Sequence, residues 1–454
     1  MPRKPAWQRA AAEVPIRPDM PIIDSHHHFW DDRSLALVYG RALPEDMAAM
    51  IAASGHKIAA TAFVECKWKY CADGPEALRC VGETEAVEAA LRVAETHGHG
   101  PTRIPAAIMG FAELLAGDKV AAVLEAHVAA SPDKFRGIRY VTSSDADEPY
   151  GRIEREGALA APALRDALRW LDRMGLIFET WCLHTQIDGI IALADAFPRL
   201  TIVVDHLATP IRIGRYADRQ QDAWAEWKAG LAVAAQRPNI AIKLGGFGMA
   251  VAGYDWKRRE TPPDSSEIAN VYRPYVLHAV DVFSPARCMF ESNFPVDGIA
   301  HGYGTLWNAF KRVTEDMSAE SKMRSSAALP RASTASTART KALQSAIVAS
   351  EISRTSATQK HHAADIEPEP SITPRDAGAP HLSRATEAAR FELKHGLLLS
   401  RIQQTRTLNL GIAYAAVGSP RKVSRTRASR QARARKSGHR PRKTDSRYGP
   451  PELD

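Results

Sequence analysis

The stretch Pro21-Ile22-Ile23-Asp24-Ser25-His26-His27-His28-Phe29-Trp30 places two histidines two residues apart where a short apolar run ends. In an extended strand alternate side chains share a face, so His26 and His28 point one way and His27 the other. Two imidazoles converging at a strand's C-terminal end can hold a divalent metal ion or position a polarised carbonyl. A surface histidine run is the plain alternative. The apolar run behind and Asp24 in front favour a strand that leads into a functional site.

Working outward, short apolar or β-branched runs alternate with longer amphipathic stretches, the pattern of repeated βα units. Strands are expected at residues 21–24, 58–65, 104–111, 135–140, 176–181, 201–205, 240–244 and 288–291. Helices are expected at 83–97, 116–129, 163–173, 187–197, 222–237, 268–282 and 303–313. Eight strands with intervening helices in about 300 residues predict a closed (β/α)8 TIM barrel, whose chemistry sits at the strands' C-terminal ends. An open doubly wound sheet is the other architecture for this pattern, but no glycine-rich phosphate loop follows the first strand.

The net charge of +8 is not spread evenly. Residues 1–320 carry a net −7 and residues 321–454 a net +15, and all nine Trp and all five Cys fall in the first part. The Ser, Ala, Arg and Thr-rich remainder has little apolar surface to offset its ordering entropy. The expected organisation is an N-terminal extension over 1–18, a barrel over 19–322 and a disordered basic tail over 323–454. The odd set Cys66, Cys71, Cys80, Cys182 and Cys288 fits neither a zinc ribbon nor a secreted disulfide framework, which points to reduced thiols and a cytoplasmic protein. No signal peptide and no membrane span are read in the sequence.

A barrel of this kind gathers polar residues from its strand ends: His26 and His28, Glu65, Arg139, His184, His206, Lys243, and Asn293 with Asp297. Singly, each has a structural explanation; Glu65 and Lys243, for example, can form an ion pair. Four histidines at the same end of different strands argue for a joint site.

These residues carry a resemblance. The ordered segments Asp24-Ser-His-His-His28, Phe63-Val-Glu-Cys66, Gly82-Glu-Thr-Glu85, Phe135-Arg-Gly-Ile-Arg139, Val204-Asp-His-Leu207, Lys243-Leu-Gly-Gly246 and Met289-Phe-Glu-Ser-Asn-Phe-Pro295 resemble the amidohydrolase-related (amidohydrolase 2) barrel family. That family includes lactonases of sugar acids and pyrone dicarboxylates, and some decarboxylases. The resemblance implies that His26, His28, His184 and His206 take the places of active-site histidines. In metal-using members these positions bind one divalent cation such as Zn or Mn; other members hydrolyse lactones without metal. One departure stands out: Asn293 occupies the place where most of the family carries an aspartate. An amide cannot abstract a proton, so the base must come from elsewhere, with Asp297 first and Glu65 second.

The resulting expectation is a catabolic hydrolase of a carboxylate-bearing lactone or cyclic amide. Its catalytic residues are His26, His28, His184, His206, Asn293 and Asp297. Its small-molecule substrate is contacted by Glu65, Arg139, Arg215, Tyr216 and Lys243, with arginine suited to a bidentate carboxylate clamp. Lys67 and Lys69 are further cations near the same ends, with ordinary surface solvation as the alternative. A homo-oligomer is compatible with this reading. Two other functions are weighed: a non-oxidative decarboxylase on the same barrel, and a binding protein whose Arg-rich end, residues 421–447, contacts nucleic acid. The scarcity of interleaved aromatics there speaks against nucleic acid.

The tail has a simpler origin, a translation out of frame from near Met323. Relatives of this type close with a short helix after Ser-Ala-Glu-x-Lys, and here Ser318-Ala319-Glu320-Ser321-Lys322 is followed by unrelated sequence. Codons can be chosen for residues 322–336 such that one inserted G after the Lys322 codon yields Lys-Asp-Ala-Leu-Phe-Arg-Gly-Thr-Ala-Ala-Arg-Val-Tyr-Arg-Ile. The tail should then be disordered, with an apolar groove left open for the missing helix. Resequencing across that codon decides the origin.

Overall fold

The computed structural model of the protein describes residues 12–315, apart from 32–35, 37, 98–101 and 146–155, together with Met317. The basic tail, with the readings made on it, lies outside the described residues, as does most of the N-terminal extension.

Eight strands form one all-parallel sheet in sequence order. They are β1 (Ile22–His27), β2 (Ile58–Val64), β3 (Arg103–Gly110), β4 (Phe135–Arg139), β5 (Ile177–Thr180), β6 (Ile202–Val204), β7 (Ile240–Leu244) and β8 (Cys288–Phe290). The last strand returns to the first: the His28 amide donates to Phe294 O, the Asn293 amide to His26 O, and Ser25 Oγ to Phe290 O, each at 2.9 Å. The sheet is therefore a barrel, as the alternation predicts.

A helix follows each strand: α1 (Pro44–Ser54), α2 (Val81–His97), α3 (Ala121–Ala130), α4 (Pro162–Met174), α5 (Ile187–Ala196), α6 (Gln220–Ala234), α7 (Ser265–Phe283) and α8 (Tyr303–Val313). Their ends carry the expected punctuation. Proline opens α1 and α4, left-handed Gly55 and Gly175 close them, and Asp264 caps α7 by accepting from the Glu267 amide. Most boundaries shift by a residue or a few from the sequence reading, and two shifts have a local cause. The helix expected from residue 116 begins only at Ala121, because Gly117 at φ 62°, ψ −134° breaks the preceding turns. β1 also runs on through His26 and His27, since His27 pairs in register with Phe63 of β2.

The inward faces of the strands stack in layers, as successive inward side chains are two residues apart. Val64, Met109, Ile177, Val203, Ala241 and Met289 make an apolar layer of buried side chains. Two residues further on, at the C-terminal side, stand Glu179, Asp205, Lys243 and Glu291. The barrel thus has an apolar plug beneath a charged floor. Among the described residues no helix is long and apolar enough to cross a membrane.

Candidate active site

The charged floor is almost sealed from solvent. Lys243 Nζ donates to Glu179 Oε1 at 2.7 Å and lies 3.5 Å from Asp205 Oδ1. Arg139 bridges two carboxylates, donating from Nη1 to Glu65 Oε1 and from Nε to Asp205 Oδ2, both at 3.1 Å. Burial opposes the Asp205 charge, but Lys243, His26 and Arg139 outweigh it and hold that carboxyl well below the usual range. Glu179 goes the other way: burial and then the Asp205 charge push it up to about 8, against the pull of Lys243.

His206 is held from behind. Its Nδ1 lies 2.8 Å from Glu291 Oε1, and its backbone amide donates to the same oxygen at 3.0 Å. Burial opposes ionisation of Glu291, yet His206 and His26 draw its carboxyl down to about 2. His206, Leu207 and Ala208 all have positive φ, at 55°, 57° and 50°, a run that non-glycine residues seldom adopt and that marks a constrained site. The fit requires glycine opposite: a Cβ on Gly246, itself at φ 83°, would stand 2.5 Å from the His206 Cβ. The imidazole is therefore positioned from two sides.

His26 and His28 point the same way, as their spacing requires, and their Nε2 atoms converge to 3.2 Å. His27 points oppositely, to Thr61 Oγ1 at 2.8 Å. His28 Nδ1 is anchored on Val64 O at 2.9 Å, and burial keeps its pKa well below the ordinary value. His26 Nδ1 faces Lys243 Nζ at 3.2 Å and Glu291 Oε2 at 3.0 Å. Burial, then the Lys243 charge, lowers its pKa as well.

A cavity of about 440 Å³ opens above this floor. His28, Glu65, Arg139, His206 and Asn293 supply its polar lining, and Lys67 and Lys257 line it as well. Of the residues expected at the site, these first five line the same cavity. Lys243 and His26 lie beneath, in the charged floor. Asp297 also stands behind the lining: its Oδ1 accepts from Asn293 Nδ2 at 2.9 Å and its Oδ2 from the Gly248 amide at 3.0 Å, while burial raises its carboxyl to about 7.

Three expected residues lie apart from this cavity. His184 Nδ1 accepts from the Ile211 amide at 3.2 Å and its Nε2 faces Glu226 Oε2 at 3.5 Å. Tyr216 donates to the same Glu226 oxygen at 2.6 Å, and Arg215 grips Asp145 with two nitrogens. The physical reason is the path of the chain after β6, which carries Tyr216 into a satellite cluster with Leu183, Ile211 and Val251, while the His184 ring and the Arg215 guanidinium lie 5.0 and 5.2 Å from its ring. Conversely, Glu179, Asp205 and Glu291 were not singled out as site residues from the sequence. Their signal was present: each follows an inward apolar residue by two.

The loop after β2 is held by Glu83, from the Gly82-Glu-Thr-Glu85 segment. Glu83 Oε1 accepts from the amides of Cys66 and Trp68 at 2.9 and 2.7 Å, fixing Lys67 and Lys69 at φ 68° and 54°. Burial and the neighbouring Glu65 raise its pKa to about 8. A carboxyl raised in the folded state gives stability that is complete below its unfolded value near 4.5 and disappears as pH rises through about 8. Glu83→Gln keeps the acceptor without the titration. Its unfolding free energy should therefore fall less than wild type's between pH 5 and 9 in urea titrations, and an unaltered pH slope would rule Glu83 out as its source.

The donors suit one divalent cation. Side-chain ligand atoms of His26, Asp205 and His206 lie within 4.8 Å of one another. Asp205 Oδ1 is a buried acceptor without a hydrogen bond. If His26 donates from Nδ1 to Glu291, its Nε2 and that of His28 both present lone pairs. Their 3.2 Å separation is close to the ~3.3 Å between two nitrogens at tetrahedral zinc distances.

A parallel eight-stranded barrel with converging histidines and paired carboxylates at its C-terminal mouth defines a hydrolase of the amidohydrolase type. The amidohydrolase family model matches residues 23–324, and the chain belongs to that family. It is 28% identical over 310 residues to the uncharacterized protein y4mH of Sinorhizobium fredii, covering 65% of this chain and 92% of that one. It is 26% identical over 291 residues to an L-fucono-1,5-lactonase of Burkholderia ambifaria, covering 62% and 83%. Among solved structures, two crystal forms of an amidohydrolase from Burkholderia multivorans, one with bound HEPES and one with bound zinc, share the fold at 22% identity. Their TM-scores are 0.52 and 0.50, and each covers 68% of this chain and 96% of that one.

Proposed function

We propose that this site hydrolyses a carboxylate-bearing cyclic ester, a lactone, with His206 as general base. The observation that carries the reading is the His206–Glu291 pair: a cavity-lining imidazole whose Nδ1 is fixed on a buried carboxylate leaves Nε2 to take a proton. Water placed by His206 and the Asn293 amide attacks the ring carbonyl, and the carbonyl oxygen gains charge. Arg139, which lines the cavity and keeps donors beyond its two carboxylate bonds, stabilises that charge. The ring C–O bond then breaks, and His206 returns the proton to the departing oxygen. Glu291 stabilises the imidazolium in between.

Asp297 serves here as a positioning residue, holding Asn293 rather than taking the proton. A divalent cation, held at His26 and Asp205, would polarise the carbonyl or activate water. The lactonase names of relatives at 25–26% identity support the same reaction class.

The test is elemental analysis of the purified protein together with a lactone panel followed by acid release. Ring-opened acid formed at one proton per turnover is expected. Carbon dioxide release from an aromatic acid, without any lactone opening, would instead identify a decarboxylase.

A further inference from the structure

Substrates of a ring-opening site differ most in what surrounds the ester, and the walls of this cavity are specific on that point. Above the polar floor the described lining is Trp30, Phe111, Trp181, Met249, Val251 and Ile299, among other apolar side chains. The two indoles offer no donor to a ligand. Trp30 Nε1 donates to Gly40 O at 2.7 Å and Trp181 Nε1 to Thr209 Oγ1 at 2.9 Å, so ring carbon is what faces inward. The Cys66 thiol is spent on Phe29 O at 2.9 Å, which leaves Tyr39 as the one hydroxyl among the described wall residues.

The mouth has a different character. Lys67, after β2, and Lys257, after β7, both line the cavity, and among the described residues neither has an ion-pair partner. Their neighbours do: Lys69 is paired with Asp31, Arg258 with Asp255 and Arg259 with Glu267. The loop that carries Lys67 is held by Glu83 in a left-handed conformation, so its placement is built rather than incidental. Beyond the polar floor, Tyr39, Lys67 and Lys257 are thus the polar groups of an otherwise apolar described lining.

We infer that the substrate is a lactone with an aryl or alkyl body and an anionic group remote from the ester, bound by Lys67 and Lys257, and not a polyhydroxylated sugar lactone. This rests on the lactonase reading above. A sugar ring would bring several hydroxyls against indole and aliphatic walls, where each loses water without gaining a partner. One such hydroxyl in an apolar pocket reduces kcat/KM by up to about 10²-fold. A planar or aliphatic ring stacks on the same walls without that loss. The reaction is the same for either body: water adds to the carbonyl, the ring C–O bond breaks, and the freed oxygen takes the proton that water gives up.

Three probes separate the alternatives: D-gluconolactone, dihydrocoumarin, and a dihydrocoumarin bearing a carboxylate on its aromatic ring. The full-length protein should open the carboxylated probe best and gluconolactone at least ~10²-fold less well in kcat/KM. In Lys67→Met/Lys257→Met the preference for the carboxylated over the plain dihydrocoumarin should fall at least about tenfold, through KM. Gluconolactone turned over as well as the aryl probes overturns the apolar body and leaves the lactonase reading standing. A preference unmoved by the lysine substitutions overturns the anion site. If no lactone of any kind is opened, the lactonase reading itself falls.

Discussion

His206→Asn should lower kcat on the best lactone by about 10³-fold while leaving the fold and the bound metal content unchanged. The size follows from the loss of a positioned general base, which contributes about 10²–10⁴-fold. Asparagine fills much of the same volume beside Gly246 and retains a polar group for the cavity, but it cannot accept and return a proton. The metal readout matters because His206 also lies within ligand distance of His26 and Asp205. Activity and metal lost together would make His206 a ligand, and wild-type turnover would remove it from the chemistry altogether. His26→Ala is a poorer test. His26 is completely buried between Lys243 and Glu291, so its removal disturbs the floor as well as the reaction. Barrel-rim residues are expected to serve chemistry more than stability, and His26 does not follow that division because β1 carries it inside the barrel.

The strands were legible because barrel strands are buried on both faces and read as short apolar runs. The histidine pair was legible for a related reason: residues two apart in a strand must share a face, and His26 and His28 do. The same periodicity extends to Glu179, Asp205 and Glu291. A carboxylate at the end of an apolar run also resembles an ordinary strand terminus, and only the closed barrel brings such residues into one charged layer. His184 shows the opposite limit. It follows its strand as expected, yet the turn after β5 places it beside Ile211 and Glu226, since a strand's periodicity ends where the strand does. Asp297 illustrates a third difficulty. Four residues after Asn293, it reads as a substitute base, but a turn of chain folds it back beneath the amide that it was meant to replace.

Lys243→Met should destabilise the barrel by about 3–5 kcal/mol, the cost of removing one partner from a buried charge cluster. Lys243 is 2% exposed, and although burial opposes its charge, Glu179, Asp205 and Glu291 keep its pKa above the ordinary lysine value. Methionine of similar length preserves most of the packing, so the loss measured by urea unfolding reports chiefly on the acidic groups left without their lysine. Asp205 retains Arg139 at 3.1 Å, whereas Glu179 loses its 2.7 Å donor at the centre of the floor. Replacing the acid left without its donor as well, in Lys243→Met/Glu179→Gln, should therefore recover a good part of the loss. The coupling in a double-mutant cycle should reach about 1–3 kcal/mol. A loss under about 1 kcal/mol for Lys243→Met, or strictly additive single changes, would show that the floor is not held by this pair. Recovery of stability without recovery of turnover would separate the two jobs of the charged layer: it holds β5, β6 and β7 together, and it sets the field in which His206 and Arg139 act.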